Sequence, residues 1–249
     1  MAQYWTFVNA GAVSTGANPV PALPASIVAG DFLIIVAAAA GTSYSATPPS
    51  GWTNVTLQTS DPRLSVWYRQ YNGVAGAPTL TNAATSCAAV MLAYRKVGSF
   101  DAASAVTTAT STSPATTNQV TTKQADDLVL SLYAATATAA DTWTPDVNTT
   151  SRVNQSSTVL VVGLLCCDED QAAAGASAVR TATLSPTGEA WDAIAVAFTS
   201  NPLGPDDADI VFAEFNAEDI EEEILELVYD SKAVDPLRIG QFFNSEAEM

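Results

Sequence analysis

The sequence contains no histidine and few charged residues of either sign. Without histidine, a Ser-His-Asp triad, a Cys-His pair and a histidine-ligated zinc site are excluded. Charged residues make up 14% of the 249 residues, well below the roughly 25% that is usual in soluble domains. The 26 acidic residues outnumber the 9 basic ones and give a formal net charge of −17. Because nucleic-acid binding depends on Lys and Arg at phosphates, this balance predicts no nucleic-acid partner.

Long hydrophobic runs and a disulfide framework are also absent from the sequence. The longest purely apolar run lies within residues 32–40, about half of what a membrane helix needs. The first residues show no basic region followed by an apolar stretch, so we expect neither a secretory signal nor membrane association. Cys87 and the adjacent pair Cys166 and Cys167 lie in apolar runs. We interpret them as small core residues rather than metal or redox groups, in a chain made in a reducing cytoplasm.

Residues 1–200 have the composition and pattern of a β protein. Their polar residues are mostly Thr, Ser and Asn rather than Lys and Glu, a mix typical of strands and turns. No stretch keeps a 3.6-residue apolar period over about 12 positions, so no helix is predicted in this region. We predict an all-β body whose strand-like runs include residues 4–8, 31–38, 64–71, 88–95, 127–133, 158–166 and 192–198.

The order of these runs occurs twice along the body. Asp31 and, 96 residues later, Asp127 each precede an apolar run, and a polar loop with a Trp and a Pro follows each run. Two such halves, about 1–98 and 99–200, predict one eight-stranded jelly-roll β-sandwich in which both halves supply strands to each sheet. Two independent sandwiches of about 100 residues each are the alternative arrangement.

Two loop tryptophans, Trp52 and Trp143, lie beside glycine and proline and are candidate glycan contacts. Packing in the core is the alternative for both, and it is the prediction for Trp67, which lies on an alternating strand. A glycan-cleaving enzyme would need a spaced pair of carboxylates as acid and base. No spacing distinguishes such a pair here, and we predict no enzymatic activity; the carboxylates considered are Asp141, Asp146, Asp168 and Glu189.

The Gly30-Asp31 pair at the start of a strand predicts a tight turn capped by the Asp31 carboxylate. Calcium coordination is the alternative, but Ca²⁺ takes six or more oxygen ligands. The acidic runs at 168–170 and 206–209 lack the alternating ligands and the glycine of a known calcium loop. We therefore predict no metal and no other cofactor.

Residues 201–249 form a separate acidic arm. They carry 14 acidic and 2 basic residues, a net charge of −12, after a Pro- and Gly-containing boundary. Asn216 is a suitable N-cap for a helix of about 217–230 with one apolar stripe. We expect the arm either to pack on its own body or to dock on a neighbouring subunit or a basic surface. The candidate partner-binding residues are Ile220, Ile224, Leu227, Val228, Phe242 and Phe243.

Four stretches of the body, 4–11, 24–34, 48–53 and 64–69, contain a Gly-Asp strand start, a Pro-x-Gly-Trp loop and a Trp-Tyr-Arg strand in that order. Through them the region from Trp5 to Phe198 resembles the jelly-roll structural proteins of tailed bacteriophages and prophages. The resemblance implies a virion structural role rather than a reaction, with other virion proteins as partners. We expect an oligomeric protein made in the host cytoplasm and located in the virion. A head decoration or cement subunit is the first hypothesis, and a receptor- or glycan-binding module of a tail fibre is the second.

Overall fold

The computed structural model describes residues 4–41, 50–57, 61–74, 76–81, 86–110, 113–136, 140–156, 162–185 and 189–201. All of them belong to the first of the two units into which the chain divides, Met1–Gly204. Their regular secondary structure is entirely β, which confirms the all-β prediction for this region. The helix predicted at 217–230 lies outside the described residues.

The described residues form seventeen strands. The first six are β1 (Thr6–Ala10), β2 (Ser14–Thr15), β3 (Phe32–Ala39), β4 (Thr53–Leu57), β5 (Arg63–Gln70) and β6 (Cys87–Arg95). The other eleven are β7 (Val97–Ala103), β8 (Thr107–Ala109), β9 (Ala115–Thr116), β10 (Thr121–Thr122), β11 (Asp127–Thr136), β12 (Thr142–Thr144), β13 (Thr150–Gln155), β14 (Gly163–Gln171), β15 (Gly175–Ala176), β16 (Thr181–Ser185) and β17 (Ala190–Ser200).

Two six-stranded antiparallel sheets account for most of these strands. The first sheet has the order β1-β6-β3-β5-β4, with β2 also paired to β6. The second has the order β7-β17-β11-β14-β13, with β8 also paired to β17. Each strand of the first sheet thus has a counterpart at the same place in the second.

The prediction of eight strands, with both halves supplying each sheet, is wrong. The chain completes the first sheet with β6 and starts the second with β7, so that only Lys96 lies between the two sheets. Every strand pair of the two large sheets lies within one half of the chain, including the pairs β1–β6 and β7–β17 that close long loops.

The pairing register repeats between the sheets at the level of single residues. The residue after Asp31, Phe32, pairs with Tyr94 and Gln70. The residue after Asp127, Leu128, pairs with Phe198 and Asp170 in the same way. The edge strands β4 and β13 pair with β5 and β14, respectively. Each pair has one shift of register at the matching place, between Asn54 and Thr56 in β4 and between Ser151 and Val153 in β13.

The two sheets pack face to face across a core of large apolar side chains, which gives a β-sandwich-like body. The rings of Phe32 and Phe198 meet edge to face across this core, with 5.1 Å between their centroids. Alternate residues of each central strand point into it because successive strand residues face opposite sides. The inner faces are lined by Phe32, Ile34, Val36, Val66, Val90, Leu92, Leu128, Leu130, Leu132, Leu164, Ile194, Val196 and Phe198.

The outer face of each sheet is covered as well. Its side chains include both large and small residues, and they lie under apolar residues from outside the sheet, such as Leu80 over the first sheet and Leu184 over the second. A central strand such as β3 is therefore apolar at successive positions rather than alternating in polarity, since both of its faces are buried. The small outer residues are Ala37, Ala39, Cys87, Ala89 and Ala93 in the first sheet and Ala135, Cys167, Ala193, Ala195 and Ala197 in the second.

Candidate functional site

Both candidate glycan-contact tryptophans are buried. Trp52 is 8% exposed and Trp143 is 3% exposed. The guanidinium of Arg69 lies 5.2 Å from the Trp52 ring centroid, and Trp143, in β12, lies 5.8 Å from the ring of Tyr133. Packing accounts for both rings, and their burial gives no support to the glycan prediction. The prediction that Trp67 belongs to the core is confirmed, because it is fully buried.

Polar atoms without a partner line the outer face of β5. The Ser65 hydroxyl, the Trp67 indole Nε1 and the Arg69 Nε and Nη2 atoms are all buried and have no hydrogen-bond partner among the described residues. These three residues are spaced two apart and so point to the same face of the strand. Each buried donor left unpaired lowers the stability of the fold by about 1–3 kcal/mol. We call Ser65, Trp67 and Arg69 the β5 donor row, and it is the candidate binding site.

The position of the second sheet that matches Arg69 is paired within the protein. The register places Glu169 where the first sheet has Arg69, and Cys167 where it has Trp67. Arg180 Nε donates to the Glu169 carboxylate at 2.9 Å, and Asp146 lies 3.8 Å from the same guanidinium. The hydrogen bond to Glu169 raises the pKa of Arg180. In the second sheet, the charged residue at this position is Glu169, and its counter-ion is Arg180.

Sequence reasoning missed the β5 donor row. The signal available was the alternation of Arg63, Ser65 and Arg69 with apolar residues in a single strand. Such an alternation predicts one polar face. It does not show that this face is covered, because the covering residues are distant in sequence.

The two aspartates at the starts of β3 and β11, Asp31 just before β3 and Asp127 as the first residue of β11, have different partners. The Asp31 carboxylate accepts the Val28 backbone N–H at 2.8 Å, as the turn prediction requires, and it also accepts two bonds from Arg95, at 2.8 and 2.9 Å. At the position of Arg95 the second sheet has Thr199, and Asp127 accepts the Ser200 backbone N–H at 3.2 Å. The two halves therefore differ in the cation at this turn.

The pKa of Asp127 is raised to about 6, chiefly by burial and further by the negative charge of nearby Asp101. Asp101 has a cation of its own, since Lys123 Nζ lies 2.7 Å from its Oδ1 atom. Burial alone would raise the pKa of Asp101, but the bonds from the Lys123 side chain and backbone lower it. Asp101 and Asp127 thus make their contacts with residues of the protein itself, Lys123 and Ser200 near the end of β17.

Asp168 ties the two sheets together. It accepts hydrogen bonds from Tyr94 of the opposite sheet at 2.9 Å and from Arg152 Nε at 2.7 Å. Burial raises the pKa of the Asp168 carboxyl, and Arg152 partly offsets this. Its neighbour Asp170 accepts the Trp5 indole N–H at 3.2 Å.

Two of the carboxylates considered for acid and base chemistry, Asp146 and Asp168, lie on opposite sides of β14. Asp168 faces the opposite sheet through Tyr94, whereas Asp146 lies beside Arg180 and Glu169 on the other side of β14. Bonds from the Asn148 and Thr181 backbone N–H groups outweigh burial and lower the pKa of Asp146. The run 168–170 is part of strand β14 rather than of a loop, and its side chains point to alternate faces.

The three cysteines are buried and form no disulfide, which confirms their interpretation as core residues. Burial raises the pKa of Cys167 to about 11. In the part of the chain that the structure describes, no three His, Cys, Asp or Glu side chains are grouped to hold a metal ion. That part also contains no helix long and apolar enough to cross a membrane. The candidate partner-binding residues of the arm, Ile220, Ile224, Leu227, Val228, Phe242 and Phe243, lie outside the described residues.

No family model, no curated protein and no solved structure matches this chain. The resemblance to phage structural proteins therefore stays a prediction.

Proposed function

We propose that the protein is a non-enzymatic structural subunit of a tailed-phage virion, located on the head as a decoration or cement subunit. The observation that carries this proposal is the covering of both outer sheet faces by the chain itself. It leaves loops and edge strands as the contact surface of the described region. Both edge strands of the first sheet, β1 and β4, contain no charged residue, although charge is a common means of preventing edge pairing. Uncharged edges suit a protein that is assembled beside others.

In this proposal the acidic arm of residues 201–249 is the anchor. Its net charge of −12 favours a basic surface of another virion protein. The apolar stripe Ile220, Ile224, Leu227 and Val228, with Phe242 and Phe243, would contact neighbouring subunits or the shell. We expect a homo-oligomer and no nucleic-acid partner.

Immunogold electron microscopy on particles from a lysate of the source phage tests the location. Serum raised against the purified full-length protein should label the heads densely, and preimmune serum is the control. Label confined to the tail tip would favour the second hypothesis, a receptor- or glycan-binding module of a tail fibre. Protein abundant in the lysate with no label on particles would contradict any virion role.

A truncation after Gly204 tests the anchor. Purified particles that lack the protein should bind the full chain and lose binding of the truncated chain. The matched control is a full-length chain in which Glu221, Glu222, Glu223 and Glu226 are replaced by Gln. If charge carries the contact, this variant should bind more weakly and depend less steeply on salt concentration.

A further inference from the structure

Asp101 and Asp127 lie on two strands that flank the end of β17. Phe198 of β17 pairs with Phe100 of β7 on one side and with Leu128 of β11 on the other. Asp101 follows Phe100 and Asp127 precedes Leu128, so only β17 lies between the two aspartates. Both side chains are buried, and the two carboxyls lie within hydrogen-bond reach of each other. An ionised carboxylate can only accept hydrogen bonds, so a hydrogen bond between them needs one proton.

The groups around the pair assign this proton to Asp127. Lys123 donates to Asp101 with its backbone N–H, 2.8 Å from Oδ2, and its Nζ lies 2.7 Å from Oδ1. The groups beside Asp127 are neutral, namely the Ser200 backbone N–H, 3.2 Å from Oδ1, and the Gln124 side chain. The Asp127 Oδ2 atom is buried and has no hydrogen-bond partner among the described residues. The carboxyl with the cation stays ionised, and the other one holds the proton.

The neighbouring acidic residue faces another carboxylate. Asp126, just before Asp127, lies near Asp170, whose pKa is raised by burial and then by the Asp126 charge. When Asp101 and Asp127 are both ionised, Lys123 balances one of the two negative charges. The second charge then repels the first in a buried position, where such repulsion is strong.

Strand β7 is weakly paired at the place where this contact forms. Among the strands of the second sheet it pairs with β17 alone. The register of that pairing shifts between Ala197 and Phe198 and again between Phe198 and Ser200. Such shifts interrupt the ladder of backbone hydrogen bonds. The contact of Asp101 with Asp127 crosses β17 here and joins β7 to β11 through side chains.

We propose that Asp101 and Asp127 share one proton and form a pH-sensitive clasp between β7 and β11, closed when Asp127 is protonated and loosened when it is ionised. Because the pKa of Asp127 is about 6, the change falls between about pH 5 and pH 7. In acid the neutral carboxyl donates to the Asp101 carboxylate, and at higher pH the two carboxylates repel each other. The Ser200 N–H bond favours ionised Asp127, so Asp127 stays with β17 and β7 moves away. The clasp does not depend on the virion proposal.

Nuclear magnetic resonance of the full-length protein with ¹³C-labelled aspartate tests the shared proton. The Asp127 carboxyl carbon should titrate with a pKa of about 6, and the Asp101 carboxyl carbon should shift at the same pH. Asp101→Asn removes the neighbouring charge and supplies an amide donor, so it should lower the Asp127 midpoint by about one pH unit or more. Asp61→Asn makes the same chemical change at an exposed position and should leave the midpoint unchanged.

Amide hydrogen exchange at pH 5 and pH 8, corrected for the intrinsic exchange rate, tests the loosening. The Lys123 backbone N–H donates to Asp101 and should lose protection about tenfold between the two pH values. The Ser200 N–H should lose much less, because its bond to Asp127 persists. Asp127→Asn carries a permanent amide donor toward Asp101 and should keep the Lys123 N–H equally protected at both pH values.

The proposal is overturned if Asp127 of the unmodified protein titrates below about pH 4.5, the range of an ordinary aspartate, or if Asp101→Asn leaves its midpoint unchanged. It is also overturned if the Lys123 N–H is as protected at pH 8 as at pH 5. Equal losses at Lys123 and Ser200 would indicate a general loss of stability and would contradict a local clasp. If a variant does not fold, the measurements on the unmodified protein decide.

Discussion

Buried aspartates within the strands or at their starts set much of the residue-scale chemistry of this protein. Asp31 has Arg95, Asp168 has Arg152 and Asp101 has Lys123. Asp127 has a backbone N–H and a neighbouring carboxylate instead. The Lys123 bonds lower the pKa of Asp101, so this carboxyl stabilises the fold when charged, whereas Asp127, buried beside another carboxylate, is better tolerated when protonated.

Asp127 should make the protein less stable as the pH rises. Its pKa of about 6 in the folded state exceeds the value of about 3.9 for an unfolded chain. Its stabilising contribution is therefore complete below about pH 3.9 and is lost as the pH rises to about 6. We expect Asp127→Asn to raise the free energy of unfolding at pH 8 by the order of 1–2 kcal/mol and to change it little at pH 4.

Urea unfolding at the two pH values measures this difference. Asp61→Asn makes the same chemical change at an exposed position and should alter stability by less than about 0.5 kcal/mol at both pH values. An Asp127→Asn variant that is destabilised more at pH 8 than at pH 4 would contradict the prediction.

Loss of Arg152 should leave Asp168 as an unpaired charge between the sheets. The Asp168 side chain is almost fully buried, and Arg152 Nε is 2.7 Å from it. We expect Arg152→Gln to destabilise the fold by about 3–5 kcal/mol at pH 7. Thermal and urea unfolding give the value. The double variant Arg152→Gln, Asp168→Asn should recover a good part of the loss, and a double variant as unstable as the single one would argue against an ion-pair origin.

At the scale of elements, the covering segments are as closely fitted as the sheets. Gly11, just after β1, lies very close to the backbone at Ala22. A Cβ atom on Gly11 would lie 1.9 Å from the Ala22 carbonyl oxygen. The Gly11 backbone N–H is also held by the Met91 carbonyl oxygen at 2.8 Å. Glycine is needed there for space.

Gly11→Ala should destabilise the protein by about 1–3 kcal/mol, because two backbone segments must move apart to admit one methyl group. Gly76→Ala is the matched control, since nothing lies within 4 Å of a Cβ at that position. It should be neutral or slightly stabilising. Unfolding midpoints for the two variants measured side by side decide the matter, and equal midpoints would be inconsistent with the close approach.

The sequence was sufficient to predict the central strands of both large sheets, but it did not predict the edge strands β4, β7 and β13 or which strands pair. The equivalence of Asp31 and Asp127, 96 residues apart, is visible in the sequence and agrees with the repeated register. Partner choice depends on how both faces of a strand are buried, and an apolar run such as β3 is buried on both. The burial of Trp52 and Trp143 and the lack of a partner at Arg69 depend on segments far away in sequence, so no local pattern predicts them.

At the scale of the whole molecule, each half of the described body makes a complete sheet, and the two sheets are held together by their inner faces. The contacts between them combine apolar packing with the Tyr94–Asp168 and Trp5–Asp170 hydrogen bonds. One residue, Lys96, joins β6 to β7. A break at this connection leaves every strand pair of both large sheets within one fragment.

Co-expressed fragments 1–96 and 97–249 should therefore assemble into a complex with one cooperative unfolding transition. Each fragment alone should fail to show such a transition, because its inner apolar face has nothing to cover it. Size-exclusion chromatography and calorimetry report the outcome. A second pair divided after Gly76 separates β6 from β3 and β5 and should associate more weakly. A fragment 1–96 that unfolds cooperatively as a monomer would contradict the shared core.

The matching strand orders of the two sheets have a consequence for how such a chain can arise. A gene that encoded only one sheet would specify an inner apolar face, and two identical copies could bury it against each other as a symmetric dimer. Duplication and fusion through a single residue would turn that dimer into one chain and make its assembly independent of protein concentration. Each copy would then be released to diverge on its own, so that one retained an arginine beside its turn aspartate and the other a threonine.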